Sequence, residues 1–115
     1  MSTFRQWLEA ADVAQEIVTN ALVNTTKLGR LAQEMLKGRW DMGGNLLHNM
    51  QAYAQHLPAD AKALRSAIPK GRWLNDLIGN MHYALDRAVE VVSQGQHPNK
   101  EKFIQWFESI RDRLQ

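Results

Sequence analysis

The sequence has no cysteine, only three prolines and no long apolar run. A chain without cysteine has no disulfides, no thiolate metal site and no cysteine nucleophile, which suits a reducing compartment. No stretch approaches the roughly 20 apolar residues of a membrane-spanning helix. The start, MSTFRQWLEAADVAQE, is charged throughout and lacks the apolar region of a signal peptide. We therefore expect a cytoplasmic protein that does not enter a membrane.

The motifs of several enzyme classes are also missing. HExxH does not occur, and no glutamate is followed three residues later by histidine, as di-iron bundles require. Gly43 and Gly44 lack the strand and the Lys-Ser/Thr pair of a phosphate-binding loop. His82 and Asp86 could share a helical face, but the sequence offers no third metal ligand. We predict no enzymatic activity, no metal and no cofactor.

Apolar residues recur at intervals of three and four along most of the chain, which is the spacing of one face of an α-helix. The pattern predicts helices over about 4–36, 45–56, 59–68, 73–93 and 99–114, with a break at 56–60 where Pro58 starts the short third helix. No segment alternates with period two, so we expect no sheet. The predicted fold is all-α: a small antiparallel bundle of four to five helices with a long N-terminal helix.

The chain has the length of one domain, residues 1–115, and its 44% of apolar residues can supply a core. The side chains that we expect inside this core come from the helical stripes and the aromatic positions. They are Trp7, Leu31, Leu77, Met81, Leu85 and Phe107.

Positive charge is concentrated in the middle of the chain. Residues 27–72 hold eight basic and three acidic side chains, whereas 1–26 hold one and three, and 73–115 hold five and six. A basic block of this kind is typical of a surface that follows a nucleic-acid backbone, and it also suits an acidic protein partner. We predict contacts with RNA or single-stranded DNA through six side chains: Lys37, Arg39, Lys62, Arg65, Lys70 and Arg72.

The basic block spells Lys-Gly-Arg-Trp twice, at 37–40 and 70–73. In one interpretation each copy is helix punctuation, because glycine ends a helix, the ring covers the open end of the core and the cation lies near a helix C-terminus. In the other, both copies lie on one surface and their arginines bind neighbouring phosphates. We expect both tryptophan rings in the core and both arginines in the binding surface.

The last helix carries an unusual density of large rings within two turns, at Phe103, Trp106 and Phe107. Such rings either close a core or dock onto another protein, since aromatic residues are enriched at interface cores. The first predicted helix would be roughly 50 Å long by the helical rise, more than a small bundle covers easily. We therefore predict self-association or a protein partner, with these three aromatic residues at the contact.

These features favour a non-enzymatic subunit or adaptor of a nucleoprotein assembly. The main alternative is a protein–protein adaptor or inhibitor that uses the C-terminal aromatic helix. A third is histidine phosphotransfer through His48, although Gln51 stands where a cation would be expected one turn later. In kind, the chain resembles the small helical subunits that line nucleic acid in CRISPR effector complexes, and also phage-encoded and antitoxin-like helical binders, without sharing a motif with them.

Overall fold

A computed structural model describes residues 3–37, 45–95 and 98–114, and the side chains of 14–37, 46–95 and 98–114. Within these ranges the chain forms four helices and no strand: α1 (Thr3–Leu36), α2 (Asn45–Ala67), α3 (Arg72–Gln94) and α4 (Lys100–Asp112). The predicted all-α bundle is confirmed, with four helices in the described ranges. It extends over 61 × 24 × 19 Å along its principal axes.

Matching apolar stripes hold α1 and α2 together as an antiparallel pair. The buried residues of α2 are spaced alternately by three and four, as in a coiled-coil seam: Leu47, Met50, Ala54, Leu57, Ala61 and Leu64. The same alternation runs along α1 through Ala21, Thr25, Leu28, Ala32 and Met35. Beside the seam, the Asn24 side chain donates a 2.9 Å hydrogen bond to Asp60, and the Lys27 ammonium lies 5.2 Å from the Tyr53 ring centre.

The predicted break at 56–60 is wrong, because α2 continues through Pro58. Proline inside a helix costs about 3 kcal/mol, since it removes one backbone hydrogen bond and crowds the preceding turn. Leu57 and Leu64 are fully buried on either side, and burying one leucine contributes about 1.5–3 kcal/mol. The continuous seam therefore outweighs the proline, whose own ring lies half-buried at the edge of the helix.

The third helix contacts α1, α2 and α4, and its most extensive contacts are with α1 and α4. Its buried face is the longest apolar stripe among the described residues: Leu74, Leu77, Ile78, Met81, Ala84, Leu85, Ala88, Val91 and Val92. Because α3 packs extensively on two helices, whereas α2 packs mainly on α1, the apolar face of α3 is wider than the α1–α2 seam. One edge of that face borders α1, and the other borders the end of α2.

The fourth helix returns antiparallel to α3. The Arg111 guanidinium donates a 2.9 Å hydrogen bond to Asp86, while the Lys100 ammonium lies 3.5 Å from the Ser93 carbonyl oxygen, one hydrogen bond near each end of α4. Phe107 and Ile110 bury one face of α4 in the core, and Leu114, just after the helix, is also fully buried. The antiparallel return brings the C-terminal end of α4 beside the second half of α2.

The core predictions are confirmed at Leu77, Met81, Leu85 and Phe107, all of which are buried. Leu31 is only half-buried and packs against the edge of the core. Trp7 lies outside the residues whose side chains the structure describes.

Candidate nucleic-acid interface

The second half of α2 and the loop after it carry three of the six predicted binding residues. Lys62 and Arg65 lie three residues apart on α2, so they project from one face of the helix. Lys70 follows in the loop that joins α2 to α3, and a fourth predicted residue, Arg72, is the first residue of α3. All four side chains are exposed.

The other two predicted residues do not join this group. Lys37 is exposed at the end of α1, and its ammonium lies 3.9 Å from a carboxylate oxygen of Glu34. Part of its charge is therefore matched within the chain. Arg39 lies outside the described residues.

A cavity of about 550 Å³ opens between α2 and the end of α4, and we call it the α2–α4 cavity. Its cationic lining comes from Lys62 and Arg65 on one side and Arg113 on the other. Ser66 also lines it, with the hydroxyl donating a 3.1 Å hydrogen bond to the Lys62 carbonyl oxygen. Two cations of α2 and one that directly follows α4 thus line one opening.

A second cavity of about 380 Å³, the α2–α3 cavity, adjoins the first. Arg65 lines both, and here it is joined by Lys70, Asn75 and His82. A side chain at Gly79 would meet nothing within 4 Å, so the glycine leaves this part of the surface open. We call Lys62, Arg65, Lys70 and Arg113, around the two cavities, the basic surface.

The cations of the basic surface are not neutralised within the described part of the chain. No carboxylate among the described residues lines either cavity, and none forms an ion pair with any of the four side chains. Arg87 and Arg111 are different, because they meet Glu90 at 3.1 Å and Asp86 at 2.9 Å. The hydrogen bond from Arg111 to Asp86 raises the pKa of that arginine above its ordinary value.

The second Lys-Gly-Arg-Trp segment serves as the junction between α2 and α3. The Gly71 carbonyl oxygen accepts the amide hydrogen of Asn75 at 3.1 Å, in the first turn of α3. The Trp73 ring is 57% exposed, so the prediction that it closes the core is wrong. Leu74 and Leu77 occupy the buried face, and Trp73 falls one residue off that stripe, on the flank of the helix.

The first Lys-Gly-Arg-Trp segment begins directly after the end of α1. Residues 38–40 lie outside the described part of the chain. The core position of Trp40 and the shared surface of the two segments therefore stay predictions.

The aromatic residues of α4 are used mainly inside the bundle. Phe107 is fully buried, and Trp106 packs edge-on against it with 5.3 Å between ring centroids. Phe103 and Trp106 are half-buried against the core. Phe107 has no exposed surface with which to contact a partner. Of the three predicted partner-binding residues, only Phe103 and Trp106 can therefore contribute to that contact.

Sequence reasoning missed Arg113, His82 and Asn75. Their helices were identified, but periodicity gives the face of a helix and not the neighbour that it meets. Arg113 reaches the basic surface only because α4 returns beside α2. The one available signal was the position of His82 and Asn75 beside the apolar stripe of a helix that begins next to Lys70.

The described residues do not carry the side-chain groups of two other kinds of site. No group of three histidine, aspartate or glutamate side chains there could hold a metal ion. His48 is exposed on α2, and the next turn offers Gln51 and Ala52 rather than a cation. None of the helices, over the residues described, is long and apolar enough to cross a membrane.

No protein-family model, no curated protein and no solved structure matches this chain. The function that follows is therefore inferred from the arrangement of its own residues.

Proposed function

We propose that this chain is a non-enzymatic helical subunit that binds the backbone of RNA or single-stranded DNA through the basic surface. The observation that carries the proposal is the convergence of Lys62, Arg65, Lys70 and Arg113 on two adjoining cavities without a carboxylate among their described lining. Unpaired cations hold counterions, and a polyanion that displaces them gains the free energy of counterion release. Cations already paired within the chain would contribute much less.

The layout of the basic surface favours a chain of phosphates over a single small anion. Arg65 belongs to both cavities, with Lys62 about one helical turn away on one side and Lys70 beyond it on the other. A positive groove that continues past one site is the feature with which proteins follow a single strand. Arginine adds a planar fork that can hold a phosphate by two hydrogen bonds.

The exposed ring of Trp73 supports the single-stranded form of the ligand. It follows Lys70 and Arg72 directly at the start of α3, and more than half of its surface is open. Unpaired bases stack on such rings with little regard for sequence. The absence of cysteine suits a cytoplasmic protein that acts as part of a larger assembly.

The test is the fluorescence anisotropy of a labelled single-stranded oligonucleotide titrated with wild type and with Arg65→Glu. We expect binding that weakens steeply between about 50 and 200 mM salt, and a loss of about tenfold or more in affinity for the variant at low salt. Arg30→Glu is the matched control, because Arg30 is exposed on α1 and lines neither cavity. Equal losses in the two variants, or a wild type that does not bind, would contradict the proposal.

A further inference from the structure

Five large apolar side chains are exposed among the described residues, and two of them, Leu22 and Tyr83, border the same cavity. Leu22 and Leu36 project from α1, and Trp73 and Tyr83 project from α3; Val23 lies next to Leu22. Between α1 and α3 runs a shallow cavity of about 290 Å³, which we call the α1–α3 groove. Leu22, Thr26 and Gly29 border it on α1, and Asn80, Tyr83 and Arg87 border it on α3.

The flank of α3 that borders this groove repeats like a second coiled-coil seam. Its residues are spaced three, four, three, four and three apart: Trp73, Asp76, Asn80, Tyr83, Arg87 and Glu90. All six are exposed except Arg87, which is half-buried. The residues of the core-facing stripe, such as Met81 and Leu85, lie on a different face of the helix. The opposite α1 wall repeats in the same way through positions 22, 26, 29, 33 and 36.

This second seam is complementary to itself when two copies of α3 run antiparallel. In antiparallel coiled coils the first and fourth heptad positions face each other. Setting Asn80 opposite Tyr83 of a second copy also sets Asp76 opposite the second copy's Arg87, and Trp73 opposite its Glu90. The symmetry repeats each match, so two carboxylate–guanidinium pairs form across the contact.

Other arrangements of the same two helices lose this match. A parallel pair related by a two-fold axis sets Asp76 against Asp76 and Arg87 against Arg87, which is repulsive. Sliding the antiparallel pair by seven residues sets Asp76 opposite Asn80 in one direction, and Arg87 opposite Tyr83 in the other. Charge complementarity therefore selects one orientation and one register.

We propose that a second copy of this chain docks antiparallel on the α1–α3 groove, with the two-fold axis crossing α3 between Asn80 and Tyr83. Tyr83 and Leu22 supply the apolar centre of the contact, and Gly29 leaves the groove open for the incoming helix. Arg87, held at 3.1 Å by Glu90 of its own chain, is positioned to meet the second copy's Asp76 as well. The contact leaves the four cations of the basic surface open, because that surface borders the other flank of α3 at Asn75, Gly79 and His82. Trp73 is the one residue assigned both to the contact and to the oligonucleotide.

Charge exchange tests the orientation and the register together. Asp76→Lys and Arg87→Asp are prepared separately, and their masses in solution are measured by sedimentation velocity or light scattering against the 13.2 kDa of one chain. Wild type is expected to be a dimer, and each variant alone is expected to dimerise at least about tenfold more weakly, because like charges then face each other. An equimolar mixture of the two variants is expected to recover a heterodimer, because opposite charges again face each other at both charge pairs across the axis.

The double variant Asp76→Lys/Arg87→Asp provides the internal control, since exchanging both charges restores opposite signs across the axis. It is expected to dimerise like wild type. Circular dichroism and melting of every variant show that the helices are retained. The proposal is overturned by a monomeric wild type at high micromolar concentration, by single variants that remain dimeric, or by a mixture that remains monomeric. Oligonucleotide binding is measured separately on the same variants, all of which keep Trp73 and the basic surface, so failure of one proposal is distinguishable from failure of the other.

Discussion

The two flanks of α3 differ in how their charges are matched. On the flank that faces α2, Arg65 and Lys70 border the cavity with Asn75 and His82, and no carboxylate lines it among the described residues. The flank beside α1 places both signs along one stripe, at Asp76, Arg87 and Glu90. An excess of one sign favours a ligand of the other sign, whereas a stripe with both signs can pair with a second copy of itself. The same helix can therefore serve two different partners.

The largest expected effect comes from a change in the buried core of α3, on which both flanks of the helix depend. Leu85 is fully buried in the core-facing stripe of α3, and Leu85→Ala should lower the free energy of unfolding by about 2–5 kcal/mol, because it removes buried apolar surface and leaves a cavity. Urea denaturation monitored by circular dichroism measures the loss. Leu36→Ala, at a side chain that is 39% exposed, is the matched control and should cost less than about 1 kcal/mol. Similar losses in the two variants would show that the core is not placed as described.

The second effect isolates the flank with unmatched charge. Lys62→Glu combined with Arg113→Glu should weaken oligonucleotide binding by about tenfold or more and lower the salt slope by about 1.4, since each lost phosphate contact on a single strand contributes about 0.7. Titrations at several salt concentrations measure both quantities. Arg30→Glu with Lys102→Glu makes the same change in net charge at exposed positions that line neither cavity. If this control pair reduced the slope equally, the location of the cations would not matter.

A third effect concerns the junction at the start of α3. Trp73→Ala should leave the melting temperature nearly unchanged, because the ring is 57% exposed. Oligonucleotide affinity should fall by about fivefold or more, since stacking of a base on an aromatic ring contributes about 1–3 kcal/mol. Trp73→Phe should retain most of the affinity. A large drop in melting temperature with unchanged oligonucleotide affinity would instead show that the Trp73 ring has a structural role.

The smallest expected effect lies where charges are matched within the chain. Asp86 and Arg111 form a 2.9 Å ion pair, with side chains that are 56% and 35% exposed. Solvent screens such a pair, so Asp86→Ala should change the free energy of unfolding by less than about 1 kcal/mol. Oligonucleotide binding should not weaken. Thermal melting checks the first expectation and anisotropy the second; a large loss in either would mean that this pair supports the basic surface.

The helical fold was predictable because the residues buried on one face of a helix recur every three or four positions in the sequence. The stripes of α1 and α3 alternate every three and four residues, and their helices were expected from that spacing alone. Pro58 was misjudged because its local preference was weighed without the uninterrupted seam from Leu47 to Leu64 around it. A longer window over α2 would have shown the same spacing on both sides of the proline.

The candidate site was only partly predictable, for a geometric reason. Lys62, Arg65 and Lys70 are close in sequence, so the charge block identified them. Arg113 joins them from α4, and which helices become neighbours depends on tertiary packing that no local pattern encodes. Trp73 was misplaced for a related reason. It is adjacent to the buried Leu74, and neighbouring residues of a helix point in directions that can separate the core from the surface.

The most direct test of two separate surfaces on α3 is a sedimentation-velocity experiment on wild type, Arg65→Glu and Asp76→Lys, each with and without a fluorescent single-stranded oligonucleotide. Detection of both protein and label reports the oligomeric state and the bound fraction of the same sample. We predict that Arg65→Glu remains a dimer and loses the oligonucleotide, whereas Asp76→Lys becomes a monomer and keeps it. Loss of the same property in both variants would contradict the separation of the two surfaces.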